Sequence, residues 1–220
     1  RGADVPRNPV LHGFAVLRDD GRVTLFADAA KFDAETRAHL GEQVTLRPVE
    51  AFVPALRTLT GPVRLDRATA PLAVSLELED AGIAVVWGDD PCRLPKACKT
   101  EAEIAGMRTA HLRDGAAMVE FLCWLDRQPE GSLTEIAAVR ALEGFRRATN
   151  ALHDISFDTI SGSGPNGAIM HYRVTEESNR AVGRDELLLV DSGAQYLDGT
   201  TDITRTMAIG DPGPEARLQY

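Results

Sequence analysis

Four apolar residues, Leu187-Leu188-Leu189-Val190, run directly into a carboxylate, Asp191. The chain then continues through Ser192-Gly193-Ala194-Gln195-Tyr196-Leu197-Asp198-Gly199-Thr200-Thr201 to a second carboxylate, Asp202. An acid that closes an apolar strand sits where burial is expected, and a desolvated carboxylate needs a strong partner. A metal ion is such a partner. Asp198-Gly199 is a turn signal, so the segment reads as a hairpin whose register decides what the two acids can do. A tight turn at Asp198-Gly199 sets Asp191 opposite Thr206 and Asp202 opposite Gln195. The acids are then about 13 Å apart at strand rise, too far for two ions spaced about 3.5 to 4 Å. A wider loop centred near Tyr196 pairs Asp191 with Asp202 and permits a shared dinuclear site. Both acids as ordinary strand ends is the third reading, and spacing alone leaves the three open.

The rest of the chain frames this hairpin. Its 220 residues, 44 % hydrophobic, suffice for one large domain or two small ones with a real core. Before residue 92 strand and helix patterns alternate, which suggests an α/β layer structure. Phe14 to Leu17 and Val23 to Phe26 flank the turn Asp19-Asp20-Gly21. Helical stretches follow near 30–40, 49–59 and 72–81, with strands at Val44 to Leu46, Val63 to Leu65 and Ile83 to Trp87. Gly88-Asp89-Asp90-Pro91 breaks the pattern and Arg93-Leu94-Pro95-Lys96 reads as a linker, so a domain boundary is expected at 92/93. Beyond it, Thr100 with Glu103 and Ser132 with Glu135 have capping-box spacing and predict two helix starts. Apolar stripes through Ile104, Met107, Met118, Leu122 and Leu125, and through Ile136, Val139 and Leu142, turn one face of each helix inward. Strand patterns follow at Ile155 to Ile160, Ala168 to Tyr172, Glu186 to Tyr196 and Thr201 to Ala208.

Charge and composition remove several functional classes. Lys and Arg total 24 against 33 Asp and Glu, a net charge of -9, which argues against binding a nucleic-acid backbone. No apolar run approaches the roughly 20 residues of a membrane span, so no membrane partner is expected. The three cysteines, Cys92, Cys98 and Cys123, have no CxxC spacing and suit a reducing compartment, with Cys98 and Cys123 packing as small hydrophobes. The Gly-rich loop Ser161 to Gly167 lacks the Lys-Ser/Thr of a phosphate-binding loop. By their neighbours alone, His171 reads as a satisfied core histidine and Phe157 as a core strand residue. The chain opens on Arg1-Gly2 and stops in a stretch that reads as a helix start, so it is expected to be a piece of something longer.

Longer strings carry more. Val190-Asp191-Ser192-Gly193-Ala194-Gln195-Tyr196, with Asp198-Gly199-Thr200-Thr201-Asp202-Ile203-Thr204-Arg205-Thr206, resembles the strand pair bearing the first two metal ligands of Xaa-Pro aminopeptidases (aminopeptidase P), pita-bread metallopeptidases. Arg1 to Val10 resembles that family's second N-terminal domain, and Ser161-Gly162-Ser163-Gly164-Pro165-Asn166-Gly167-Ala168-Ile169-Met170-His171-Tyr172 its substrate-side loop. The resemblance implies part of a creatinase-type α/β domain over 1–92 and the first half of an α+β pita-bread domain over 93–220. It implies that Asp191 chelates one ion of a dinuclear site and Asp202 bridges two divalent ions, most often Mn²⁺. His171 is then catalytic and beside the substrate carbonyl, Phe157 lines the substrate pocket and Thr204 orients a carboxylate. The remaining ligands, one His and two Glu, and a further catalytic histidine are expected beyond residue 220. The implied activity is hydrolysis of the bond between an N-terminal residue and a following proline, by a cytoplasmic protein that is a homodimer at full length. A prolidase acting on Xaa-Pro dipeptides and a non-catalytic pita-bread binding module are the alternatives.

Overall fold

The Asp19-Asp20-Gly21 turn folds β1 (Phe14–Leu17) back on β2 (Val23–Phe26), with Phe14 opposite Phe26 and Leu17 opposite Val23. The computed structural model describes residues 2–219, and these divide into two units, 2–99 and 100–219. In the first unit, α1 (Ala34–Leu40) leads to β3 (Val44–Arg47), which adds to β2 in parallel. The helix expected over 49–59 is shorter. A 3₁₀ turn at Val49–Ala51 precedes α2 (Phe52–Leu56), where Pro54 is tolerated because a first turn needs no donor there. β4 (Val63–Leu65) and β5 (Val85–Trp87) pair in parallel across α3 (Leu72–Asp80). Phe26, Phe52, Leu56, Val74 and Leu78 form the core. The Phe52 ring stacks on Phe14 at 4.2 Å and meets Phe26 edge-on at 5.2 Å.

Residues 93–96 are not a linker. They fold as α4 (Arg93–Ala97), started by Asp90, whose side chain accepts from Cys92 N and whose carbonyl accepts from Arg93 N. The division between the units therefore falls after this helix, at Lys99/Thr100, rather than at 92/93.

The second unit opens with α5 (Glu101–Leu125), where Thr100 and Glu103 make the expected capping box. After the connection comes α6 (Glu135–Ala148), but its cap is Thr134, not Ser132. Thr134 accepts from Ala137 N at 3.2 Å, Ser132 turns back to the Pro129 carbonyl, and Glu135 is drawn fully inside. The strands are β6 (Asp154–Ile155), β7 (Ile160–Ser163), β8 (Glu186–Ser192), β9 (Ala194–Gln195) and β10 (Ile203–Ile209), followed by α7 (Gly213–Gln219). β10, β8 and β7 form one antiparallel sheet in that order, and β6 pairs with β9. Leu188 and Val190 of β8 pack with Met118, Phe121, Leu125, Ala138 and Leu142 of the two helices. Because side chains alternate along a strand, Leu189 and Asp191 point to the other face.

Several expected boundaries shift. Residues 155–160 split into β6 and β7 around a bend, and 186–196 split into β8 and β9 at Gly193. Ala168 to Tyr172 is no strand: a 3₁₀ turn at Gly164–Ala168 is followed by further turns, with His171 at φ 55°. Met107 and Cys123 lie off the buried stripe of α5, which runs through Ala110, Asp114, Ala117, Met118, Phe121 and Leu125, and both are exposed. Cys92 and Cys98 are exposed as well. Among the described residues no helix is long and apolar enough to cross a membrane.

Candidate metal and substrate site

The hairpin adopts neither of the two registers drawn from its spacing. Asp191 lies opposite Thr204 and Ser192 opposite Ile203, and the same count continues to a bridge between Gln195 and Thr200. Tyr196 N donates to the Gly199 carbonyl at 2.8 Å, so Leu197 and Asp198 form the corner, one residue earlier than the Asp-Gly signal indicates. The cause is tertiary. Arg113 of α5 grips the Asp198 carboxylate with two bonds of 2.9 and 3.1 Å, and the helix carries Gly106 where a Cβ would lie 2.5 Å from the Asp198 carbonyl oxygen.

This register places Asp202 one strand across and two residues along from Asp191 on the same face. Diagonal neighbours of this kind are within side-chain reach. The register makes the two carboxylates neighbours, and Asp202 is held above the usual carboxylate range, first by partial desolvation and then by the negative charge of Asp191. Two neighbouring carboxylates suit a hard divalent cation. They are a partial donor set, since the described residues gather no group of three His, Cys, Asp or Glu able to hold a metal.

Around the pair, Thr204 Oγ1 donates to Asp191 Oδ1 at 2.8 Å. Asp191, Thr204 and His171 line one pocket of about 230 Å³, walled by Ile160, Ile169 and Leu189. Phe157 is half-buried and is not among the residues lining it.

Sequence reading missed what lies behind the hairpin. Asp114 and Arg146, both fully buried, are joined by bonds of 2.7 and 3.0 Å. The Asp114 carboxylate also accepts from the Tyr196 hydroxyl at 2.9 Å and the Thr201 hydroxyl at 2.8 Å. Burial pushes this carboxyl up, yet Arg146 and the two hydroxyls outweigh it and hold the group below the usual value. Burial, followed by the bond to Asp114, raises the Tyr196 hydroxyl. Thr201 precedes Asp202 and in turn takes the Ala194 N–H at 3.0 Å, so the buried pair fixes the hairpin from both strands. The signal was in the helical period: Asp114 falls on the apolar stripe of α5, and Arg146 follows Ala138 and Leu142 at four-residue spacing on α6.

Comparison with known proteins bears on the chain as a whole. Residues 105–220 match the family model of metallopeptidase family M24. The chain belongs to metallopeptidase family M24. Its residues 1–103 match the creatinase/prolidase N-terminal domain, so the expected pairing of a creatinase-type unit with pita-bread elements holds. Among similar solved structures, the X-prolyl aminopeptidase of Caenorhabditis elegans, a cytosolic enzyme with a di-nuclear active site, superposes with a TM-score of 0.86. The two are 31 % identical, over 98 % of this chain and 37 % of that one. The prolidase of Pyrococcus furiosus, 20 % identical with a TM-score of 0.70 over 94 % of this chain and 58 % of its own, shares the fold. Probable Xaa-Pro aminopeptidases P of Aspergillus clavatus and Laccaria bicolor are 37 % and 38 % identical over 96 % and 100 % of this chain, and it covers 34 % and 35 % of them. This M24 chain thus spans about a third of the length of these relatives.

Proposed function

We propose that the protein containing this chain is a metal-dependent Xaa-Pro aminopeptidase, cleaving peptides after an N-terminal residue that is followed by proline. The observation that carries the reading is the placement of Asp191 and Asp202 as diagonal neighbours on one sheet face, beside a pocket lined by Asp191, Thr204 and His171. Resemblance to the fungal relatives named for this activity supports the specificity. Asp191 and Asp202 would hold two divalent ions together with donors from outside the described residues. When bound, such ions acidify a water and polarise the scissile carbonyl. Thr204 fixes which way the Asp191 carboxylate faces by donating to one of its oxygens. His171, at the pocket wall, offers a ring N–H to the carbonyl oxygen as negative charge builds there. Ile160, Ile169 and Leu189 give the substrate an apolar surface and limit water around that oxygen. A proline nitrogen has no N–H and fixes its own φ, so ordinary endopeptidase sites read this bond poorly.

Manganese as the metal, a role for Phe157 in substrate contact, a cytoplasmic location and a homodimer belong to the same reading. The cytosolic Caenorhabditis elegans relative supports the location. The test is hydrolysis of Xaa-Pro-containing tripeptides and dipeptides by the full-length protein with added Mn²⁺, beside its Asp202→Asn variant. Turnover of the tripeptide, lost together with bound metal in the variant, is expected. Full turnover by Asp202→Asn overturns the metal assignment, and turnover of dipeptides alone makes the enzyme a prolidase.

A further inference from the structure

His171 occupies an uncommon backbone conformation. At φ 55° it is a non-glycine residue in the left-handed region, a state that persists only where the surroundings over-determine it. The residues just before it supply no such constraint by burial, since Ile169 is 53 % and Met170 86 % exposed. The constraint comes from either end of the turn. Tyr172, the next residue, is 7 % exposed, and its hydroxyl donates to Glu135 Oε2 at 3.0 Å while accepting from Asn166 at 2.9 Å and from the Ser178 hydroxyl at 3.0 Å. At the other end, Asn166 Nδ2 donates to both Glu135 oxygens at 3.0 and 3.1 Å. Ser163 N, where β7 ends, donates to Oε1 at 2.7 Å. Two backbone bonds, Ile169 N to the Asn166 carbonyl and Tyr172 N to the Ile169 carbonyl, close the turns between these anchors.

Glu135 is therefore the common acceptor for the start, the middle and the end of the segment that presents His171. Its own place is set independently. It is the first residue of α6, it is fully buried, and its N–H donates to the Arg180 carbonyl at 3.1 Å while the Arg180 N–H reaches Oε2 at 3.4 Å. The capping-box position that the sequence assigns to this residue is not what it does. Its carboxylate leaves the helix end to Thr134 and turns to the loop. A glutamine there would present an N–H₂ to groups that are themselves donors, and leaving buried donors unmatched is costly enough to move the loop.

We propose that Glu135 is the positioning residue for His171: through Ser163, Asn166 and Tyr172 it holds the histidine against the pocket it shares with Asp191. The inference rests on the role given above to His171. It is tested in the full-length, metal-loaded protein by a double-mutant cycle of Glu135→Gln and His171→Ala, following kcat, KM, bound metal and the thermal midpoint. In the native background Glu135→Gln should lower kcat about 10-fold or more with KM changed far less and metal retained, because an interaction made mainly in the transition state is misplaced. In the His171→Ala background the same substitution should change kcat by less than about twofold, since residues acting through one another do not add. Tyr172→Phe, which deletes a single hydroxyl, should show the same non-additivity with a smaller loss, and it carries the test if Glu135→Gln does not fold. An equal loss in both backgrounds, or loss of metal with Glu135→Gln, overturns the positioning role and leaves the His171 assignment standing. If His171→Ala alone leaves kcat unchanged, the His171 assignment falls, and the role of Glu135 falls with it.

Discussion

Asp114 is the residue on which the hairpin geometry most depends, because one carboxylate serves Arg146, Tyr196 and Thr201 at once in a place without solvent. Removing one partner of a buried ion pair leaves the other charged and uncompensated, whereas replacing both by apolar groups can be nearly neutral. In the full-length protein, Asp114→Asn is expected to cost about 3 to 5 kcal/mol in urea unfolding. Asp114→Leu combined with Arg146→Met should recover a substantial part of that loss. Equal destabilisation by the single and double changes would show that the hydroxyls, not the ion pair, are what matter. The sign of the pH effect follows from the same contacts. The Asp114 carboxyl sits below its usual value of 3.8 in the folded protein, so the unfolded chain binds the proton more readily. The stability it contributes is whole above that usual value and is lost as pH falls through the lower, folded one. Native protein should therefore lose more stability than Asp114→Asn on acidification below about pH 4. Parallel unfolding curves for the two proteins would contradict this. Asp191 and Asp202 stood out in the sequence because one lies next to the end of an apolar strand and the other just before the following strand, in a distinctive string. Asp114 and Glu135 were not, because a mid-helix acid and an acid at a capping position each have a common solvent-facing explanation, and only packing shows that these two point inward.

At the scale of elements, most strands were readable, with some starts shifted by two residues and one expected strand absent, and the register was not. β1 and β2 follow from alternation plus an Asp-Gly turn, and the structure pairs them as an antiparallel hairpin. In the β8 to β10 hairpin an equally good Asp-Gly signal loses, because Arg113 and the bare backbone at Gly106 seat Asp198 on α5 and pull the corner one residue earlier. That shift separates a register with distant carboxylates from one that makes them diagonal neighbours. The Ala168 to Tyr172 stretch fails for a related reason: its apolar run reads as a strand, but the preceding Gly164 and Pro165 turn it and Glu135 collects its ends. Gly193, where β8 gives way to β9, tests the dependence of the site on the hairpin. A Cβ there would sit 2.1 Å from both the Thr201 carbonyl oxygen and the Ser156 hydroxyl, a clash with backbone on the strand that carries Asp202. Gly193→Ala in the full-length protein is expected to spread the strands and weaken Mn²⁺ binding at least about tenfold by titration calorimetry, since ligand placement sets affinity. Unchanged affinity would mean that Asp202 does not depend on this close approach.

At the scale of the whole molecule, the relatives compared above are about three times as long as this chain, so donors outside the described residues bear on what these two units do alone. Two carboxylates neutralise part of the charge of a divalent pair and leave most coordination places to water, so both affinity and preorganisation suffer. The sheet raises a second issue. Within the described residues β10 lies at one edge of the three-stranded sheet, and the face opposite the helices carries Leu187, 36 % exposed, with the pocket beside it. An open edge next to exposed apolar residues invites pairing with another chain. The purified 220-residue chain is therefore expected to show no hydrolysis of Xaa-Pro peptides with added Mn²⁺, to bind Mn²⁺ weakly, and to run larger than a monomer on sizing chromatography. Addition of a second polypeptide carrying the remaining sequence of the full-length protein should restore both turnover and tight metal binding, because it returns the missing donors and covers the edge together. Turnover by the isolated chain as a monomer would refute the requirement for outside donors. Restored metal binding without turnover would instead place the deficit at the loop around His171, where Glu135 rather than the hairpin of Asp191 and Asp202 governs the geometry.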